Sequence, residues 1–391
     1  MFNKLLLRKK VLLPVVALLV LFFSQEQSTV AAVPKPDHVV ICILENHSYQ
    51  QIIGSVHAPY INTLVFQSAN LQKYYGLAHP SQPNYLMLFS GNNQGEATDN
   101  LPAGTPWTTP NLGGSLLNAG NTFTSYSEGL PTMGSTVAVS GAYARKHCPW
   151  VNWQGSGINQ IPATSNLTMS DFPTNFSYLP DVSFVIPNQN NDMHNGSDPG
   201  KISAGDVWLE QHMKPYVNWA QDNNSLFILV FDEDDFTPFN RIMCLFIGPM
   251  VRQGNYYLKS YNHYDLLHTL EEMYSLPHVA NSINGQTIDE IWISSLNVRN
   301  LTPASISASV YPNPLTDNSQ IVISTDPGNS DSNMHLLIFD IAGRLMNDEI
   351  IHLMPGANSY AFRKEGLSNG IYTFQVRNEK NLLGSGKVVV D

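Results

Sequence analysis

The chain has 391 residues, of which 43% are apolar and only 13% charged, with a formal charge of −11. That length allows two domains, and that apolar fraction allows a sizeable core, which excludes global disorder. Removing the first 32 residues, which hold four cations and one anion, moves the charge to −14; so acidic a chain argues against nonspecific nucleic-acid binding or a polybasic membrane patch.

In chain order, Lys4, Arg8, Lys9 and Lys10 come before a 13-residue apolar run, Val11–Phe23, and Thr29-Val30-Ala31-Ala32 then offers small residues for cleavage. This reads as a signal peptide over residues 1–32, because the run falls short of the ~20 residues a spanning helix needs. An uncleaved anchor is the alternative. No later run approaches membrane length, so no transmembrane segment is expected after cleavage. The three cysteines, Cys42, Cys148 and Cys244, exclude a full disulfide framework. Buried thiols are the expectation, with a Cys148 disulfide to either of the others left open.

Residues 37–290 read as alternating buried strands and helices. His38–Leu44 and Ser225–Phe231 are continuous apolar runs ending in Glu45-Asn46 and Asp232-Glu233, and 182–187 and 242–247 are shorter versions. Strands apolar on both faces predict an α/β fold, a mostly parallel sheet flanked by helices, with ligands at the carboxyl ends of the strands. Helical patterns fall at 58–69, 83–90, 203–221 and 264–275. The stretch 91–180 is rich in Gly, Asn, Ser, Thr and Pro, and it reads as an insertion or lid. Beyond residue 300, short alternating runs separated by turn formers predict a small all-β sandwich over 306–391. Asn297–Ser305 has the character of a linker, so a first domain is expected over 33–296.

Four groups of residues could carry chemistry. Glu45 and Asn46 at a strand end offer hard oxygen ligands for a divalent cation, although Asn46 or Ser48 could equally cap a helix. Ser81, in His79-Pro80-Ser81-Gln82-Pro83-Asn84, stands before a proline-started helix where free N–H groups can hold a phosphate; a plain N-cap is the alternative. Asp232 and Glu233 open a run of four acids at the end of an apolar strand, a costly arrangement unless something positive sits there, although a solvated loop would also explain it. His147, His194 (with Asp192 as an Asp-x-His pair) and His263 are acid–base or ligand candidates, although any one of them alone is more often a structural histidine.

The order of these groups along one chain, Ile43-Leu44-Glu45-Asn46-His47-Ser48-Tyr49, His79-Pro80-Ser81-Gln82-Pro83-Asn84-Tyr85, Asp192-Met193-His194, Val230-Phe231-Asp232-Glu233-Asp234 and His263, resembles the alkaline phosphatase superfamily. It is closest to the bacterial phosphoesterase branch that contains acid phosphatases and phospholipases C. The resemblance covers about 37–280. It implies an alkaline-phosphatase-like fold with Ser81 as nucleophile and Asn84 as an oxyanion or phosphate contact. Glu45, Asn46, Ser81, Asp232 and Glu233 become metal ligands, and Asp192, His194 and His263 further ligands or phosphate contacts. Glu45 and Asp232-Glu233 depart from the Asp and Asp-His of two-zinc members, which leaves Ca²⁺, Mg²⁺, Mn²⁺ or Zn²⁺ open, and one ion or two. Tyr311-Pro312-Asn313-Pro314, Phe339–Arg344 and Leu367–Tyr372 resemble the C-terminal sorting domain of the type IX secretion system. That implies passage through the periplasm to the outside or the cell surface, with the secretion machinery as partner.

The expectation is therefore a secreted metal-dependent phosphoesterase that hydrolyses small phosphomonoesters through a phosphoserine, acid-phosphatase-like. A phospholipase C or other diesterase is the alternative within the same chemistry. An inactive surface binding protein is the alternative of a different class.

Overall fold

The computed structural model describes residues 33–293 and, with short gaps, 306–390. The signal peptide expected over 1–32 and the linker expected over 297–305 lie outside the described residues.

An eight-stranded sheet organises the first region. Its strands are β1 (His38–Leu44), β2 (Ala69–Leu71), β3 (Phe123–Ser127), β4 (Asn166–Thr168), β5 (Val182–Ile186), β6 (Ser225–Phe231), β7 (Cys244–Ile247) and β8 (Gly254–Tyr256). They lie in the order β8-β2-β7-β6-β1-β5-β3-β4. The central pairs run parallel, with Leu44 beside Phe231 and Val39 beside both Leu226 and Val182. β1, β5 and β6 are buried on both faces apart from half-buried His38, which is why they read as unbroken apolar runs. The sheet is mixed, because β7 runs antiparallel to both β6 and β2. The expected strand 242–247 is also two strands: Arg241–Ile242 pairs with Tyr74–Tyr75 in a separate small sheet, and Cys244–Ile247 joins the main one.

Helices α1 (Pro59–Val65), α2 (Ser81–Ser90), α3 (Gly200–His212), α4 (Lys214–Asp222) and α5 (His263–Met273) flank the sheet. The single helix expected over 203–221 is broken at Met213, because Pro215 occupies the first turn of a new helix and cannot continue the old one. α2 is buried along its whole length and ends at Gly91 (φ 66°). A Cβ on Gly91 would lie 2.3 Å from the Val279 carbonyl oxygen, so only glycine fits.

The stretch 91–180 is built into the main sheet and also sends Asp99 to the cleft. It supplies β3 and β4, which extend the main sheet in parallel beyond β5. It is anchored by aromatic packing of Phe89 on α2 against Phe123, Trp150 and Trp153. All three cysteines are free and buried, so Cys148 forms no disulfide.

The C-terminal region is all β, with sheets of three and four antiparallel strands around an apolar core of its own that includes Ile321, Ile338, Phe374 and Val388. Among the described residues, no helix is long and apolar enough to cross a membrane.

Candidate active site

The carboxyl ends of β1 and β6 lie side by side, so Glu45 and Asp232-Glu233 meet. All three are buried. Asn46 takes a left-handed backbone (φ 53°), which asparagine tolerates. In this conformation its N–H donates to Asp232 Oδ1 at 3.1 Å and its side-chain amide donates to Glu45 Oε2 at 3.1 Å.

Helix α2 starts at Ser81 itself, two residues before the proline-started turn anticipated from the sequence. The Ser81 Oγ lies 3.0 Å from Glu45 Oε2 and 3.1 Å from Glu233 Oε1, so its one proton faces two acceptors. One turn further, Tyr85 donates to Glu45 Oε1 at 2.5 Å. Burial and the neighbouring Glu45 push the Tyr85 hydroxyl well above its usual pKa, which keeps it a donor.

Burial raises the pKa of three acids here, and for two of them the neighbouring Glu45 adds to it. Burial, then Glu45 and Glu233, lift Asp232 well above the usual carboxylate range. Burial and Glu45 bring Glu233 to about 8. Burial brings Asp192 to about 7.

His147 completes this cluster from the short helical turn Arg145–His147. Its Nε2 is 3.2 Å from Glu45 Oε1 and its Nδ1 is 3.3 Å from Asp192 Oδ2. Neither approach is aligned as a hydrogen bond, and His147 Nε2, Asp192 Oδ2 and Asp232 Oδ2 are all buried without a hydrogen-bond partner. Burial lowers the His147 pKa to about 4, so the ring is neutral and its lone pair available. One ligand atom each from Glu45, His147 and Asp192 fall within 4.8 Å of one another. Orphaned buried acceptors and a donor set of carboxylates with one neutral imidazole fit a divalent cation.

The site opens into a cleft of about 280 Å³ lined by Asn46, Ser81, His194, Lys201, Glu233 and Phe236, among others. Lys146 reaches His194 Nε2 at 3.4 Å and pairs with Asp99 Oδ2 at 2.7 Å. Burial works against the Lys146 charge, but Glu45 and Asp99 outweigh it and raise its pKa. Asp99 also accepts from the Gln82 N–H at 3.0 Å, at the start of α2.

Two residues expected to contact the phosphate are placed otherwise. Asn84 accepts from the N–H groups of Leu77 and Ala78 at 2.9 and 3.0 Å and donates to the Ala78 carbonyl at 2.7 Å, so it clamps the loop ahead of Ser81. His263 is buried, with Nε2 donating to the Asp232 carbonyl at 2.6 Å and Nδ1 accepting from Tyr74 at 3.1 Å. Burial holds its pKa near 4. It positions the end of β6 and does not line the cleft.

Sequence reasoning missed His79, whose Nδ1 lies 2.7 Å from Glu233 Oε2 and whose ring is stacked by Phe236 at 4.6 Å. It also missed Tyr85, Asp99, Lys146 and Lys201. Two signals were available: Tyr85 is four residues after Ser81 on one helix face, and Lys146 adjoins His147 in a chain with few cations.

The profile of the Phosphoesterase family matches residues 56–277, and that of the secretion system C-terminal sorting domain matches 309–391. Over 264 residues the chain is 45% identical to a phosphatidylinositol-3-phosphatase of Mycobacterium tuberculosis, covering 67% of this chain and 85% of that protein. It is 25% identical to a probable acid phosphatase of Kluyveromyces lactis and 27% identical to an acid phosphatase of Aspergillus fumigatus. These alignments take in 67% and 63% of this chain, and 63% and 57% of those relatives' lengths. Among solved structures, a Vibrio parahaemolyticus protein of the alkaline phosphatase superfamily matches with TM-score 0.46 at 11% identity, over 86% of this chain and 83% of that one. The chain belongs to the Phosphoesterase family, is a hydrolase of phosphoric ester bonds, and carries a C-terminal secretion sorting domain.

Proposed function

We propose that the protein is an exported, divalent-metal-dependent phosphomonoesterase that works through a phosphoseryl intermediate on Ser81. The observation that carries this reading is Ser81 Oγ at 3.0 and 3.1 Å from two buried carboxylates, Glu45 and Glu233. Glu45, Asn46, Ser81, Asp232 and Glu233 would hold the ion, with His147 and Asp192 closing the inner side. A cation so held offsets the carboxylate charge, lowers the pKa of the serine hydroxyl and neutralises phosphoryl oxygens.

The chain's own groups do the rest. Ser81 Oγ passes its proton to the carboxylate it faces and attacks phosphorus, and the P–O bond to the leaving group breaks with its electron pair. Lys146, Lys201 and His194 on the open side supply positive charge and hydrogen bonds to the transferring oxygens, which is the main task in phosphoryl transfer. His194 stands where it can protonate the departing oxygen. Water then attacks the phosphoserine, and Ser81 leaves and regains its proton.

The Mycobacterium tuberculosis relative is named for a phosphomonoester on a lipid headgroup. Phe236, 65% exposed at the cleft, favours a leaving group with an apolar part. The sorting domain supports export to the outside or the cell surface.

The test is hydrolysis of an aryl monophosphate, a bis-aryl phosphate and a phosphoinositide monophosphate by the wild type and Ser81→Ala. Monoester turnover that is lost in the variant, with an unchanged far-UV spectrum, is the expected result. Turnover of the diester alone would replace the monoesterase with a diesterase, and near-normal activity of Ser81→Ala would remove the serine from the mechanism.

A further inference from the structure

We propose that the carboxyl-terminal end of α5 carries a second cation site, separate from the catalytic cluster, formed by His268, Glu272 and His278 and suited to a transition ion such as Zn²⁺. His268 and Glu272 are one turn apart on α5 and therefore share a face. The helix ends through Ser275 in a left-handed conformation (φ 53°), and the returning chain brings His278 back over that face. The two imidazoles stack with centroids 3.9 Å apart and planes 5° from parallel. One ligand atom from each of the three residues lies within 4.8 Å of the others.

The hydrogen bonds fix which ring nitrogens are available. His268 Nδ1 lies 2.7 Å from the Ser282 carbonyl, and His278 Nδ1 lies 2.9 Å from Glu271 Oε2. A carbonyl and a carboxylate only accept, so both Nδ1 atoms carry protons. Both Nε2 atoms then turn toward Glu272 Oε1, at 3.9 and 3.0 Å, and the closer one, His278 Nε2, stands at hydrogen-bonding geometry. With its Nδ1 already protonated, that nitrogen meets the carboxylate favourably only through a positive charge. Either a second proton on His278 or a cation bound by the two Nε2 atoms and Glu272 supplies that charge.

Metal-binding histidines characteristically hold their other nitrogen in this way, against a carbonyl or a carboxylate. Glu271, the outer partner of His278, is itself buried and braced by the Val279 N–H at 3.0 Å and the Ser282 hydroxyl at 2.7 Å. Two imidazoles and one carboxylate suit Zn²⁺, with water completing a tetrahedron, and not Ca²⁺ or Mg²⁺. The rings would splay from their stack to bring both nitrogens to bonding distance, pivoting on their Nδ1 anchors. The ion would staple the last turn of α5 to the segment that follows it. None of the three residues lines the cleft.

The test uses the full chain, freed of metal and then equilibrated with Zn²⁺ in the presence of excess Mg²⁺. Bound zinc is counted for the wild type, His278→Gln and Glu272→Gln, and the visible absorption of Co²⁺ substituted for zinc is recorded for each. The expected result is one zinc fewer per chain in each variant, or an affinity lower by roughly tenfold or more. The tetrahedral Co²⁺ band should weaken in both variants, while aryl phosphate turnover stays at the wild-type level. Equal zinc content and an unchanged Co²⁺ spectrum in the wild type and either variant would overturn the proposal. In that case a proton on His278 supplies the positive charge.

Discussion

The two regions of the molecule treat charge in opposite ways. At the carboxyl ends of β1 and β6, three acids are buried together, two of them within hydrogen-bonding reach of one serine, and burial with the neighbouring Glu45 raises the affinity of Asp232 and Glu233 for protons. In the C-terminal sandwich, charges meet in pairs nearer the surface, as in His335 with Asp348 at 2.7 Å and Arg344 with Asp340 at 2.6 Å. The sandwich keeps its interior apolar, whereas the α/β region keeps an unbalanced negative cluster inside. Crowding acids where water cannot screen them destabilises the fold unless a cation is bound there, which is the arrangement the proposed metal site would relieve. The sandwich has no comparable cluster among its described residues.

The comparison can be broken most strongly at Glu45. Glu45→Gln removes the negative charge and turns one of the two oxygens that accept from Ser81 and Tyr85 into a donor, and kcat should fall on the order of 10²–10⁴-fold, within the range for losing a positioned acid–base group. Steady-state kinetics on an aryl monophosphate checks this, and a loss smaller than tenfold would separate the carboxylate cluster from catalysis. Next comes Gly91→Ala, where the left-handed backbone and the Val279 carbonyl both oppose a side chain. It should cost about 1–3 kcal/mol by denaturant melting, through strain in the fold and not through charge.

A third test concerns pH. Glu233 and Asp192 hold their protons to about 8 and about 7 in the folded chain, so deprotonation opposes folding as pH rises from the ordinary carboxylate pKa to those values. His147 and His263 act in the opposite sense, because burial lowers both to about 4 and folding is then favoured as pH rises toward 6.5. Above pH 6.5 only the carboxylates still titrate. The metal-free protein should therefore lose stability between pH 6.5 and 8, on the order of 2 kcal/mol, and saturating divalent ion should remove most of that slope. Melting curves across the window, with chelator and with ion, measure both. The smallest effect is expected from His335→Ala in the sandwich, whose pair is exposed and should be worth under about 1 kcal/mol.

Much of the scaffold was legible because the central strands are buried on both faces, so apolar runs marked β1 and β6 and their polar ends marked the site. Glu45, Ser81, Asp232 and Glu233 come together where those ends pointed. The outer strands beyond β5 were not legible. Phe123-Thr-Ser-Tyr-Ser and Asn166-Leu-Thr are short, rich in hydroxyls and set among turn formers, and their strand character comes from pairing, the first beside β5 and the second beside the first. The split at Met243 and the break at Met213 are likewise set by tertiary pairing and by Pro215. Within the site, residue type did not separate ligand from support. Asn84 and His263 carry reactive-looking groups that the fold uses on backbone. Lys146 reaches the site only because a distant segment folds beside it, whereas His79 arrives with the loop that carries Ser81.

If the buried carboxylates hold an ion that makes Ser81 a nucleophile, the phosphoserine can be trapped. Rapid acid quenching during aryl monophosphate turnover, followed by peptide mass analysis, is applied to chelated protein and to protein restored with Mg²⁺, Mn²⁺, Ca²⁺ or Zn²⁺ in turn. Phosphate is expected on the peptide containing Ser81 in at least one restored sample, with none in the chelated sample and none in Ser81→Ala. Full turnover after chelation, or phosphate trapped on a histidine with Ser81 unmodified, would contradict this role of the ion and of Ser81.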